Sequence, residues 1–214
     1  MRPDFSLDDF EILDQEQLYK GFHELRRFRL RHRLHQGGWS EEMLREVSVR
    51  GSAAACAVYD PQLDAVCMVE QFRVATSLEG DLPWSLEIVA GLIDKAGEPA
   101  EAVIRRELRE EAGIQPAHVE MITRYWVSPG GSAARMHLFV ALCDLSQIEG
   151  GIFGLDEEHE DILVRVLPLE TVHQSAISGQ NSNAASLIGI QWLLLNRQKL
   201  YDKWQSLKRT HAGD

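Results

Sequence analysis

Residues 26–34 read RRFRLRHRL, in which Phe28, Leu30 and Leu34 alternate with Arg27, Arg29, Arg31 and Arg33. A period of two predicts a strand with one apolar and one basic face. The basic face is either a solvated, acid-paired surface or part of an anion site. Short apolar runs bounded by turn residues follow at 53–59, 64–72, 85–90, 121–127, 137–142 and 162–167, and each predicts a strand. Residues 99–112 predict a helix. Pro99 suits its first turn, where a missing N–H costs nothing, and Gly113 suits a left-handed stop. A second helix is predicted over 183–207, with Leu187, Ile188, Ile190, Leu193, Leu194 and Tyr201 among its apolar positions. Strands and helices without strict alternation predict an α+β fold, with helices packed on a mixed sheet. The texture changes near Gly51, which divides a strand lobe, 1–50, from a larger domain, 51–214. There is no internal repeat and no low-complexity tract.

The helix at 99–112 carries an unusual distribution of charge. Advancing about 100° per residue from Val103, the positions Ala100, Ile104, Leu108 and Ala112 spread over about 60–180°. With Val103 at 0°, Glu107 and Glu111 fall near about 40° and 80°, inside the apolar arc, and Glu110 near about −20°, at its edge, while Arg105 and Arg109 take the outer face. Three carboxylates at this spacing repel one another. Partial burial adds several kcal/mol, by order of magnitude, for each uncompensated charge. Such a face answers either to a bound cation or to a surface acidic cluster met by nearby arginines. Carboxylate oxygens are hard ligands, so Mg2+ or Mn2+ is the natural candidate for the first.

Composition narrows the field. With 214 residues, 44% apolar and 26% charged, the chain can build a real core, which excludes disorder and a disulfide-stapled miniprotein. The 33 acidic and 22 basic residues leave a net charge of −11, which repels nucleic-acid backbones, so no nucleic-acid partner is expected. A small phosphorylated ligand stays open, because a bound divalent cation inverts the local field. Cys56, Cys67 and Cys143 form no CxxC pair and read as core thiols. No run approaches the roughly 18 consecutive apolar residues of a membrane span. The acidic opening MRPDFSLDDFEILD has no apolar signal core. A cytoplasmic setting, with no membrane partner, is the expectation.

Residues 91–114, GLIDKAGEPAEAVIRRELREEAGI, resemble the Nudix hydrolase signature G-x5-E-x7-R-E-U-x-E-E-x-G-U, where U is bulky and aliphatic. Gly91, Glu98, Arg106, Glu107, Leu108, Glu110, Glu111, Gly113 and Ile114 fill its defined positions. Six residues, rather than five, separate Gly91 from Glu98; the extra one falls in the loop before the helix. The likeness extends to YKGF (19–22), residues 51–73, SLEIVAG (85–91), SPGGS (128–132), GIFGLDEEHEDI (151–162) and NAASLIGIQWLLL (183–195). These are similar to the bacterial ADP-ribose pyrophosphatases within the family.

The resemblance implies a Nudix α/β/α sandwich around a mixed sheet. It implies a homodimer in which the N-terminal strands pack across to the partner and help form both sites. It also implies hydrolysis of ADP-ribose to AMP and ribose 5-phosphate with two or more Mg2+, or Mn2+, ions per site. Glu107 and Glu111 match the main side-chain ligands, with Glu110 close by. The Ala90 carbonyl matches a main-chain ligand, and Glu160 a further one. Glu98 and Arg106 match a pair bracing the loop against the helix, with Gly91 and Gly113 also structural. DEEHED at 156–161, otherwise a plain charged loop, brings Glu158 to the general-base position, with Glu157 and His159 as rivals. Such a base must reach the attacking water within hydrogen-bond distance. Arg73 and Arg45 match contacts to phosphate or adenine. Phe22 matches an aromatic that stacks on the adenine, the plainer alternative being core or dimer packing. Ser128 and Gly130 belong to a tight turn that lets backbone donors approach the substrate. Ala134 stands where related enzymes carry a glutamate near the terminal ribose. Two rival functions follow: the same chemistry on another nucleoside diphosphate sugar such as GDP-mannose, for which Ala134 leaves room, and an ADP-ribose-binding sensor without hydrolysis, against which the complete acidic core stands.

Overall fold

A computed structural model describes residues 5–95, 97–179 and 183–211. Two compact units arise, and each has its own architecture.

The N-terminal unit contains β1 (Phe10–Lys20), β2 (Glu24–His32) and β3 (Met43–Ser48), an antiparallel sheet in that order. Two register shifts interrupt β1, which is why its sequence shows no clean alternation. Every arginine of the basic stripe finds an acid. Arg27 pairs with Glu46 at 2.7 Å, Arg29 with Glu42 at 2.8 Å, Arg31 with Glu11 at 2.7 Å and Arg33 with Asp9 at 3.9 Å. The acid-paired surface is therefore the reading the structure bears out. The opposite face aligns Ile12, Leu30 and Met43 across the three strands. Residues 126–135 join this unit because the Ser48 N–H donates to the Gly131 carbonyl (2.9 Å) and the Ala133 N–H to the Ser48 carbonyl (2.8 Å).

The second unit is built on β4 (Ala53–Asp60), β5 (Ala65–Phe72), the short α1 (Val74–Ser77), β6 (Trp84–Glu87), β7 (Val89–Leu92) and α2 (Ala100–Ala112). It continues through β8 (His118–Trp126), β9 (Arg135–Leu142), β10 (Gly151–Phe153), β11 (Ile162–Pro168), α3 (Leu169–Ile177) and α4 (Ala184–His211). The sheet runs β10-β11-β5-β4-β9-β8, and its one parallel pairing of those registered, β4 with β9, makes it mixed. β4 and β5 pair only at Val58–Asp60, next to their turn. Beyond it they diverge, and the run predicted as one strand over 85–90 fills the gap as two: β6 pairs with β5 and β7 with β4.

Alternation along β4 sends Ala54, Cys56 and Val58 into the core beneath α2, while Ala55, Ala57 and Tyr59 face α4. Both faces are covered, so these strands read as continuous apolar runs. Small residues let the helices approach: a Cβ at Gly189 of α4 would stand 3.4 Å from that of Ala57. The three cysteines are buried and free. The result is the α+β sandwich the sequence predicts. Among the described residues, no helix is long and apolar enough to cross a membrane.

Candidate active site

The site begins with α2. Val103, Ile104, Leu108 and Ala112 drive its inner face into the core. Gly113, at φ +64°, ends it, with the Gly113 and Ile114 N–H groups donating to the Arg109 and Leu108 carbonyls. Arg105 and Arg109 are exposed, whereas Glu107 and Glu110 are half-buried and Glu111 is only 3% exposed. Glu107 and Glu111 thus lie within the apolar arc and Glu110 at its edge, as the wheel predicts.

Two strand residues meet this face. The Ala90 N–H donates to Glu111 Oε2 at 3.3 Å. At Gly91 a side chain would overlap the Glu107 carboxylate, so only glycine lets the strand come this near. Arg106 Nη1 pairs with Glu107 Oε1 at 3.0 Å and Glu110 Oε2 at 2.9 Å. Glu98, the partner that the family signature suggests for Arg106, acts on it through charge alone; its Oε2 is buried without a hydrogen bond.

The loop at 154–161 brings further carboxylates. Gly154, at φ +110°, lies so close to Glu160 that a Cβ would come 2.6 Å from the Glu160 Cβ. Its N–H donates to the Glu110 carbonyl at 3.4 Å, tying the loop to α2. Glu158 is exposed at the end of a 3-10 turn, Asp156–Glu158, followed by His159 at φ +56°. Glu160 Oε2 accepts from the Leu155 N–H at 3.1 Å and so staples its own loop.

These charges press on one another. Burial pushes the Glu107 carboxyl up to about 7, helped by Glu110, Glu160 and Glu158 and opposed by Arg106. Burial likewise pushes Glu111 up to about 8, helped by Glu107 and Glu160 and opposed by the Ala90 N–H and Arg73. Among the described residues, no three His, Cys, Asp or Glu side chains converge into a metal-ligating group as they stand. Their donor chemistry nevertheless fits a hard divalent cation. Buried anionic oxygens exceed the cationic groups near them, and a cation removes that deficit.

Arg73 extends from the end of β5. Its Nη2 meets Glu87 Oε2 at 3.0 Å, and its Nε lies 3.3 and 3.4 Å from the two oxygens. Glu87 was not singled out from the sequence; its signal is a lone carboxylate inside the apolar run SLEIVAG.

The other predicted binding residues belong to the N-terminal unit. Phe22 is 76% exposed between β1 and β2, with the Arg50 guanidinium 3.6 Å above its ring and His23 edge-on at 5.3 Å. It is no part of this chain's core. Arg45, exposed on β3, donates from Nη1 to the Leu44 carbonyl at 2.8 Å. The Ser128 carbonyl accepts from the N–H groups of Gly131 and Ser132, closing the turn. A Cβ at Gly130 would meet nothing within 4 Å.

The family model described as NUDIX domain matches residues 49–187. The chain belongs to the Nudix hydrolase family. Within that family it is 42% identical over 204 residues to the ADP-ribose pyrophosphatase of Haemophilus influenzae, covering 94% of this chain and 93% of the relative. It is 42% identical over 200 residues to the ADP-ribose pyrophosphatase of Escherichia coli strain K12, covering 94% and 95%. A GDP-mannose pyrophosphatase of Klebsiella pneumoniae is 35% identical over 150 residues, covering 70% and 74%. The Nudix fold is shared with a crystal structure described as an ADP compounds hydrolase, at a TM-score of 0.64 and 18% identity, covering 89% and 97%.

Proposed function

We propose that this Nudix hydrolase cleaves the pyrophosphate bond of ADP-ribose to AMP and ribose 5-phosphate, with Mg2+ or Mn2+. The observation that carries the reading is the buried Glu111, set beside Glu107 and within the field of Glu160, on a helix face where a lone protein would place apolar side chains. The choice of sugar rests on likeness: the relatives named as ADP-ribose pyrophosphatases match over 94% of the chain, the GDP-mannose enzyme over 70%.

Glu107, Glu111, Glu110, Glu160 and the Ala90 carbonyl would hold two or more ions. Bound there, the ions neutralise the pyrophosphate, activate water and stabilise the leaving oxygen. Glu158 takes the proton of the attacking water, with Glu157 and His159 next in line. The new P–O bond forms at one phosphorus, and the bridging oxygen departs with the other phosphate. Arg73 meets a phosphate oxygen, Arg45 a phosphate or the adenine, and Phe22 stacks on the base. The turn with Ser128 and Gly130 offers backbone donors, while Gly91, Glu98, Arg106 and Gly113 keep loop and helix in place. The reading extends to a cytoplasmic homodimer built through a strand lobe, 1–50, with catalysis assigned to a domain over 51–214. Free buried thiols suit a reducing compartment, and Phe10 and Ile12 expose apolar surface that a second copy would cover.

One sequence difference favours a second sugar: Ala134, with no side-chain hydrogen bond to offer, stands where the resemblance puts a glutamate near the terminal ribose. Incubation with ADP-ribose, GDP-mannose and other diphosphate sugars, with Mg2+ and with chelator, decides between them. The expected products are AMP and ribose 5-phosphate, formed from ADP-ribose only when Mg2+ is present. A faster reaction with another sugar overturns the substrate, and tight ADP-ribose binding without turnover overturns the enzyme.

A further inference from the structure

Val69 packs in the core beneath α2, and Glu87 lies opposite it across the β5–β6 pairing. Period-two alternation therefore puts Gln71, Arg73 and Glu87 on that same side of the sheet, the side that carries Glu107 and Glu111. Glu87 is 5% exposed, and the guanidinium of Arg73 is its ion-pair partner. A buried carboxylate is a poor choice for stability alone, since an apolar side chain of similar size does as well or better. Arg73, by contrast, is nearly half exposed. Its bonds to Glu87 use Nε and Nη2 and leave Nη1 outside the clamp. Beside them, the buried Nε2 of Gln71 has no hydrogen-bond partner among the described residues, so this polar strip is unfinished there.

An arginine next to an acidic cluster has a competing option. Arg73 already lies in the field of Glu111. Released, it would swing onto the carboxylates and occupy the charge that a divalent cation needs.

We propose that Glu87 is a positioning residue: it clamps Arg73 by Nε and Nη2 so that Nη1 faces an incoming phosphate and the guanidinium stays off Glu107 and Glu111. This rests on the pyrophosphatase reading above and adds a residue to it. Glu87 does not touch the reacting atoms.

Glu87→Gln tests the clamp. The expected result is a rise of about tenfold in KM for ADP-ribose with kcat nearly kept, the signature of lost binding rather than lost chemistry. The Mg2+ concentration for half-maximal rate rises as well, and the melting temperature does not fall. Glu87→Asp recovers part of the KM. Arg73→Ala shows the same KM defect, and adding Glu87→Gln to it costs nothing further. In protein without substrate or metal, the Arg73 Nε–H resonance in 15N NMR is shifted and slow to exchange in wild type, and moves to the free-arginine position in Glu87→Gln. If that resonance moves while KM and the Mg2+ requirement stay at wild-type values, the positioning role is overturned and the pyrophosphatase reading stands. Additive defects of Glu87→Gln and Arg73→Ala likewise overturn it. A wild-type protein inert on every diphosphate sugar overturns the pyrophosphatase reading, and this proposal with it.

Discussion

The stripe on β2 and the face of α2 use the same two residue types to opposite ends. On and just past β2 four arginines meet acids on or before neighbouring strands at the surface, Arg27 meeting both Glu46 and Glu16. On α2 one arginine, Arg106, answers Glu107 and Glu110 together, and Glu111 is buried with no ion pair among the described residues. Balanced exposed pairs are worth little, since water and salt screen them. Excess buried charge is worth a great deal to whatever ligand neutralises it. A cluster reads as a site through its imbalance and its burial, not through its count of charged residues.

The hardest blow to this contrast is Glu111→Gln. Turnover falls on the order of 10²–10³-fold, while the melting temperature of metal-free protein stays level or rises, because a buried repulsion has gone. Steady-state kinetics and a thermal melt check both halves. Next comes the small steric change Gly91→Ala, whose methyl would overlap the Glu107 carboxylate and displace it. A ligand moved by about 1 Å costs on the order of tenfold to a hundredfold in rate, read by the same assay.

Acidity probes the imbalance directly. Glu107 and Glu111 have carboxyl pKa values raised by folding, to about 7 and about 8. Their contribution to stability is complete below the ordinary carboxylate value and disappears as pH climbs through 7 to 8. Metal-free wild type should melt a few degrees lower at pH 8 than at pH 5.5, by more than Glu111→Gln does, and Mg2+ at pH 8 should recover the loss. The weakest effect belongs to the other region. Arg29→Ala should change stability by less than about 1 kcal/mol in denaturant titration and leave turnover alone.

Legibility followed the same divide. The period of two exposed β2, and the position of glutamates inside an apolar arc exposed the acidic face of α2, because both signals are local. β1 was hidden by its two register shifts, β10 by having three residues, and α3 by being a short helix that follows directly on β11. The division of the 85–90 run at Ile88 depends on where β4 and β5 part company, which no local pattern carries. Glu87 escaped for a similar reason: its partner lies fourteen positions earlier in the chain and meets it only across the β5–β6 pairing. Arg106 turned toward Glu107 and Glu110, one and four positions along its own helix.

The five residues from Glu87 to Gly91 have a consequence for insertions. Glu87 and Gly91 project to the same side because an even number of steps separates them. One residue added at Ile88 would reverse that phase, sending either the carboxylate or the glycine toward α4. The loop between Gly91 and Glu98 has no such parity to keep, and it carries its six residues where the family signature has five. Length in this protein is negotiable where the chain only connects, and fixed in units of two where it aims.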